Sequence, residues 1–189
     1  VYANGKKYNG KKLALCVPQD SLLQFSILDP IKKVLKNTIQ CKPLCRTYAL
    51  FKKEDIWFKD IEKKVITNNP LRFIIPMDSE KGLIMISYTD DIYTNYWKNK
   101  NEKEVKDAIV KYVKETFDLT INPPIKTWMY YWDSGVAYWK KGINSDAMSK
   151  FIVNPMPNIY ICGENYSLNQ SWVEGALETC DNCLKEIKL

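Results

Sequence analysis

The sequence predicts a mixed fold, α/β at its two ends and α+β between them, and three observations carry that prediction. The segment Ile159-Tyr-Ile-Cys-Gly-Glu-Asn-Tyr-Ser-Leu-Asn-Gln-Ser-Trp-Val-Glu-Gly-Ala-Leu-Glu-Thr-Cys180 reads as a buried strand, a polar turn and a new helix. Between Leu44 and Trp132, strand-like runs rich in aromatic and branched residues surround one long helical stretch. A chain of 189 residues, 46% of them hydrophobic, can also bury a sizeable core.

The elements follow in order. Asn4-Gly5 and Asn9-Gly10 signal tight turns ahead of a Leu13 to Val17 strand. Asp29-Pro30 precedes a short helix from about Ile31, and Leu44 to Phe51 alternates as a strand. Leu71 to Pro76 and Leu83 to Tyr88 pair as a hairpin around Asp78-Ser79-Glu80-Lys81-Gly82. Glu102 to Phe117 is an amphipathic helix with Val105, Ala108, Ile109, Tyr112, Val113 and Phe117 as its buried stripe. Asn122-Pro123-Pro124 breaks that pattern, and Ile125 to Trp132 reads as an aromatic-rich strand. The run Ile159 to Ile161 then stops at Gly163, where the backbone can approach a ligand closely. From Trp172 to Leu184, Val173, Ala176, Leu177, Cys180 and Leu184 recur at helical spacing and predict a buried face. The start of such a helix points free N–H groups at an electron-rich carbonyl or phosphate.

Composition excludes several function classes. There is no His, so serine-type triads, Cys-His dyads and His-ligated metals have no imaginable base or ligand here. Six Cys form neither a metal nor a disulfide framework: Cys16 and Cys162 read as small buried strand residues, Cys180 and Cys183 as core packing on a helix, and Cys41 and Cys45 flank Pro43 without a partner. That usage suits a reducing intracellular compartment. The net charge is +6, but only Arg46 and Arg72 are Arg among 28 basic residues, and the Lys pairs read as solvated faces, so no specific nucleic acid is expected. No segment approaches the roughly 18 uninterrupted apolar residues of a membrane span, so the chain reads as soluble. Abundant Lys, Asn and Ile fit an AT-rich genome, as in a protist or a large DNA virus.

Cys162-Gly-Glu-Asn followed by Gln170-Ser-Trp-Val-Glu-Gly-Ala-Leu-Glu resembles the C-terminal flavin-binding signature of the FAD-dependent amine oxidases, which include monoamine oxidases, polyamine oxidases and flavin histone demethylases. Other segments agree in order: Lys12 to Pro18 resembles the strand by which the family's chain returns to its cofactor domain, Arg46 to Phe58 a substrate-domain strand and aromatic, Leu83 to Asp91 with Trp97 a strand and acidic turn, and Asp133 to Trp139 a loop running toward the flavin face. The family opens with a βαβ unit whose Gly-x-Gly-x-x-Gly turn holds the cofactor pyrophosphate, and none of the 7 glycines here is grouped that way. The expectation is therefore the C-terminal portion of a longer protein: residues 1–18 as the returning strand of an FAD-binding domain, 19–133 as an α+β substrate domain, and 134–189 as a connecting loop with the C-terminal FAD-binding strand and helix. The missing N-terminal half becomes an expected partner, and the chain alone is expected not to retain FAD tightly.

The resemblance implies roles for particular residues. Gly163 and Glu164 would lie against FAD, and Trp172 and Val173 would direct backbone N–H toward the flavin pyrimidine carbonyl. Trp172 would also wall the amine substrate, with Tyr138 as the opposite wall. The implied reaction oxidises a C–N bond of an amine or polyamine with O2, giving an imine or aldehyde and H2O2. Arg46 falls where the family commonly has a lysine that holds a water near flavin N5, and Arg differs from Lys in donor geometry. A slow oxidase, an oxidase using another lysine such as Lys42, and a non-enzymatic relative with a structural or assembly role all stay open.

Overall fold

The computed structural model describes residues 2–187. In chain order the elements are β1 (Tyr2–Ala3), β2 (Lys6–Lys7), β3 (Leu13–Leu15), α1 (Gln19–Leu22), α2 (Lys32–Thr38), β4 (Ile39–Leu50), β5 (Val65–Ile66), β6 (Phe73–Asp78), β7 (Leu83–Asp90), α3 (Glu102–Phe117), β8 (Lys126–Trp139), α4 (Ser145–Val153), β9 (Ile159–Ile161) and α5 (Val173–Glu186). They form two compact units, residues 1–41 with 136–189 and residues 42–135. The chain passes between the units along β4 and β8.

The first unit is built on a short parallel pair. β3 and β9 align Leu13 with Ile159, Ala14 with Tyr160 and Leu15 with Ile161. Leu22, Leu28 and Leu35 are completely buried in one cluster with Leu15, Ile159 and Ile161. Residues 19–41, grouped by the sequence with the middle of the chain, therefore pack instead with the two terminal segments, because their leucines share that core. The unit also contains α4, which the sequence analysis did not mark. Its N-cap is Asn144, whose side chain accepts the Ala147 N–H at 3.0 Å, and Ile152 and Val153 are buried.

The second unit is a sheet in the order β5-β6-β7-β4-β8, in which β5–β6, β6–β7 and β7–β4 are antiparallel. α3 supplies Val105, Ala108, Ile109, Tyr112 and Val113 to its core. That helix occupies the residues the periodicity predicts, and the ends show why. Asn101 accepts from the Glu104 N–H at 3.0 Å, and Glu104 returns the bond to the Asn101 N–H at 2.8 Å. Asp118 ends it in the left-handed conformation, φ 54°. Asn69 ties the helix to the sheet: its amide donates to Thr116 Oγ1 at 2.8 Å while its carbonyl oxygen accepts from Thr67 Oγ1 at 2.9 Å and Leu71 N–H at 3.1 Å. Trp97 is completely buried, with its Nε1–H donated to the Pro70 carbonyl at 2.9 Å.

The strand predicted to end at Trp132 runs on to Trp139, so Asp133 to Trp139 is strand and not loop. Its backbone has partners there, since β4 is its neighbour in the sheet. Gly135 allows this, because a Cβ there would run into the Leu44 side chain and lie 3.0 Å from the Leu44 backbone N.

Gly82 closes the β6–β7 turn at φ +76°, and a Cβ on it would lie 2.5 Å from the Phe51 carbonyl oxygen. Gly5, between β1 and β2, has a similar φ of +72° but open space around it. Gly5→Ala should thus cost about 1 kcal/mol for the left-handed backbone alone, whereas Gly82→Ala adds overpacking and should cost about 2–4 kcal/mol. Denaturant midpoints at unchanged slope check the difference, and equal losses in both variants would count against the close Phe51 approach.

Candidate functional site

The site begins where the parallel pair ends. Ile159, Tyr160 and Ile161 are buried, and the Cys162 N–H continues the ladder to the Leu15 carbonyl at 3.1 Å. Gly163 then turns at φ +130°, a conformation side-chain-bearing residues rarely adopt, with nothing within 4 Å of where a Cβ would stand. Its N–H is held by Thr179 Oγ1 of α5 at 2.8 Å. The Thr179 hydroxyl has the Gly163, Gly175 and Ala176 carbonyls as acceptors, each at 3.1 Å, in a setting only 2% exposed.

Side chains hold residues 164–171 in place. The Glu164 carboxylate accepts the Ser171 N–H at 2.8 Å and a bond from the Asn165 amide. Asn165 Oδ1 accepts the Gln19 N–H at 2.8 Å, satisfying a donor at the start of α1. Gln170 bridges outward, donating to the Asn165 carbonyl at 2.6 Å and accepting the Trp139 N–H at 2.8 Å. Ser171 Oγ accepts the Ala137 N–H at 3.3 Å and lies 3.2 Å from the Ala137 carbonyl. Beneath the loop, Gln19 Nε2 donates to the Leu35 carbonyl at 2.6 Å and Cys41 Sγ lies 3.7 Å from Gln19 Oε1. Burial, with Asp20 and Glu164 nearby, pushes the Cys41 thiol up to about 11. Burial also raises the Tyr166 hydroxyl, so both groups stay protonated at neutral pH.

α5 reverses the expected polarity. Its buried residues are Gly175, Thr179 and Cys183, whereas Val173, Leu177 and Leu184 are 71%, 61% and 56% exposed and Cys180 is exposed too. Gly175 explains the choice of face: a Cβ there would run into the Asn169 carbonyl and Ser167 Oγ, so only a glycine lets the loop lie against the helix. Small residues face the close approach, which turns the apolar stripe outward. Trp172, the N-cap, is 71% exposed and gives no side-chain cap, and the Val173 and Glu174 N–H groups find no acceptor among the described residues.

The structure brings four of the sequence-marked residues, Gly163, Glu164, Trp172 and Val173, onto one segment, with Tyr138 beside it. Tyr138 is about half exposed, and it and Trp172 each follow one member of the hydrogen-bonded Ala137–Ser171 pair. Arg46 belongs to the other unit, on β4. Its guanidinium lies 5.1 Å from the Tyr88 ring centroid, and its buried Nε has no acceptor among the described residues. Lys42 is engaged with Asp91 at 3.1 Å. An aromatic shelf on this unit, not anticipated from the sequence, is formed where Tyr48, Trp128, Tyr130 and Trp132 with Leu83 line a pocket of about 460 Å³. The signal was present as aromatics at the alternate positions Trp128, Tyr130 and Trp132 of β8. Among the described residues there is no cluster of three metal-ligating groups, and no helix is long and apolar enough to cross a membrane.

The profile of the flavin-containing amine oxidoreductases matches residues 2–182. The chain belongs to that family. It is 23% identical over 209 aligned residues to an uncharacterised protein of Acanthamoeba polyphaga mimivirus, covering 92% of this chain and 39% of the relative. Its fold is similar to that of the cyclohexylamine oxidase from Brevibacterium oxydans, with a TM-score of 0.73 and 12% identity, covering 98% of this chain and 45% of the oxidase. The chain thus spans less than half the length of both. The family implies FAD as the cofactor of the complete protein. An open-sided glycine, an uncapped helix start and an exposed indole lie together on one braced loop, a donor set and apolar face that suit a flat ligand bearing carbonyl groups.

Thr179→Val keeps the shape of the side chain but removes the acceptor for the Gly163 N–H. It should cost this family member about 1–3 kcal/mol, the range for a buried donor left unpaired, measured by chemical denaturation. Thr179→Ser, which retains the hydroxyl, should recover most of that loss.

Proposed function

We propose that this chain is the C-terminal part of a flavin-dependent amine oxidase and that residues 163–173 form its contact with the flavin ring. The start of α5 carries the reading: free N–H donors and an exposed indole are presented by a loop whose other polar groups are already engaged. In this reading FAD supplies the electron-pair acceptor for C–N oxidation of an amine, with O2 as the final oxidant. The N–H groups of Trp172 and Val173, with that of Glu174 beside them, would hold a flavin carbonyl, as the positive end of a helix favours. The Glu164 carboxylate fixes the loop by accepting the Ser171 N–H and so sets the position of Trp172 in the flavin contact. Trp172 and Tyr138 wall the amine, orient its α-carbon and exclude water. The exposed apolar stripe of α5 and Trp172 gives the N-terminal FAD-binding half a surface to cover.

Arg46 supports a second reading, a non-catalytic relative with a structural or assembly role, because a guanidinium stands about where the family has its lysine. If Arg46 is catalytic, its unpaired Nε–H is the donor available to a water or reacting atom. In the complete protein Arg46→Met should then lower turnover by about 10²-fold with flavin content unchanged.

Trp172→Ala in the complete protein should reduce amine oxidation roughly 10–100-fold, as expected for lost positioning, while flavin content stays near wild type, because the backbone contacts survive truncation. Glu164→Ala should lose flavin first, because it frees the Ser171 N–H and loosens the loop. Flavin absorbance of the purified variants and peroxide release on polyamines and aryl amines give the two readouts. Wild-type values of both in both variants would reject the segment as a flavin site.

A further inference from the structure

Cys16 and Cys162 stand side by side where the parallel strands end. Each follows a residue of the registered pair Leu15 and Ile161, and the two sulfurs are 2.9 Å apart. Neighbouring strands place such residues about 4.8 Å apart, inside the Cα separation of about 4.4–6.8 Å that a disulfide bridges. Cys16 is exposed, against the sequence expectation of a buried strand residue, and Cys162 is buried behind it. Cys183, the other buried thiol nearby, is directed to the Ile161 carbonyl at 3.3 Å and the Val153 carbonyl at 3.8 Å.

We propose that Cys16 and Cys162 are a peroxide-responsive thiol pair that closes to a disulfide between β3 and β9. The exposed Cys16 thiolate attacks one oxygen of hydrogen peroxide, breaking the O–O bond to give Cys16 sulfenic acid and hydroxide. Cys162 sulfur then displaces the sulfenic oxygen, forming the S–S bond, and its proton leaves with that oxygen as water. The hydroxide takes the proton originally on Cys16. In total two thiols are oxidised to a disulfide while one peroxide is reduced to two waters. That the protein makes this oxidant itself rests on the amine oxidase reading; the pair's reactivity does not. The bond forms at the residue before Gly163, so oxidation fixes the entry to the loop that carries Glu164 and Trp172.

The test adds stoichiometric hydrogen peroxide to the purified, fully reduced protein. The expected results are loss of two hydrogens from the intact mass, a peptide joining Cys16 to Cys162 in a non-reducing digest, and reversal by dithiothreitol. Because the bridge spans 146 residues, Tm should rise by several degrees, of order 5 °C. Cys16→Ser should abolish the cross-link and the shift, and Cys183→Ser should retain both. Oxidation of Cys16 to sulfinic acid without a cross-link, a bridge between Cys162 and Cys183, or intact thiols after treatment would each overturn the proposal. Cross-linking by added peroxide upholds the pair even if no amine is oxidised, which separates its failure from that of the enzymatic reading.

Discussion

The pairing of β3 with β9 is the constraint on which the first unit depends. Three residues at each end of the chain meet in register across 146 positions, from Leu13 to Ile159 and from Leu15 to Ile161. Closing so long a loop is entropically unfavourable, and a few ladder hydrogen bonds do not offset it alone. The apolar cluster around the strands supplies the rest, with Leu22, Leu28 and Leu35 fully buried beside Leu15, Ile159 and Ile161. This accounts for the division of the chain. Residues 19–41 pack with the ends because the strand pair needs their leucines.

Once the strands are paired, the site follows from hydrogen bonding more than from apolar contact. A loop as polar as residues 164–171 is stable against a core only if its donors and acceptors are matched. Glu164, Asn165, Ser167, Gln170 and Ser171 meet that condition largely with backbone partners on the loop, on α1 and on residues 137–139. The result is a loop with little unsatisfied polarity facing inward. Its free donors lie at the start of α5, where Trp172 gives no side-chain cap. Rigid support together with unpaired N–H donors is what a preformed ligand contact requires.

The sequence was readable where local chemistry and long-range packing point the same way. α3 has a capping box, a left-handed terminus and an apolar stripe that is in fact buried, so its predicted and observed ranges coincide. The turn at Gly163, φ +130°, and the start of α5 at Val173 fall where the motif puts them. The buried face of α5 was not readable from periodicity. Hydrophobic spacing selected Val173, Leu177, Cys180 and Leu184, but the contact with the loop is so close that only Gly175 and other small groups fit it. The extension of β8 was missed for a similar reason, since the partner strand and not the local sequence determines where a strand ends. The Cys16–Cys162 proximity depends on a pairing register that no single-chain pattern reveals.

The reversed polarity of α5 also bears on how the unit is held together. An exposed stripe of Val173, Leu177 and Leu184 beside Trp172 gives no stability through burial, so α5 is retained by its inner face alone. That face is small-residue packing plus the Thr179 hydroxyl, which touches three carbonyls and one N–H within a few ångströms. Apolar surface of this extent on a helix that adjoins the loop proposed to contact flavin has a physical use when a further layer covers it: the same event would remove the stripe from water and close the loop over the cofactor. Cofactor retention and burial of α5 would therefore be coupled in the complete protein. On the proposed flavin reading, truncating Leu177 or Leu184 should lower the flavin content of the complete protein, read by flavin absorbance, through lost cover of the exposed stripe.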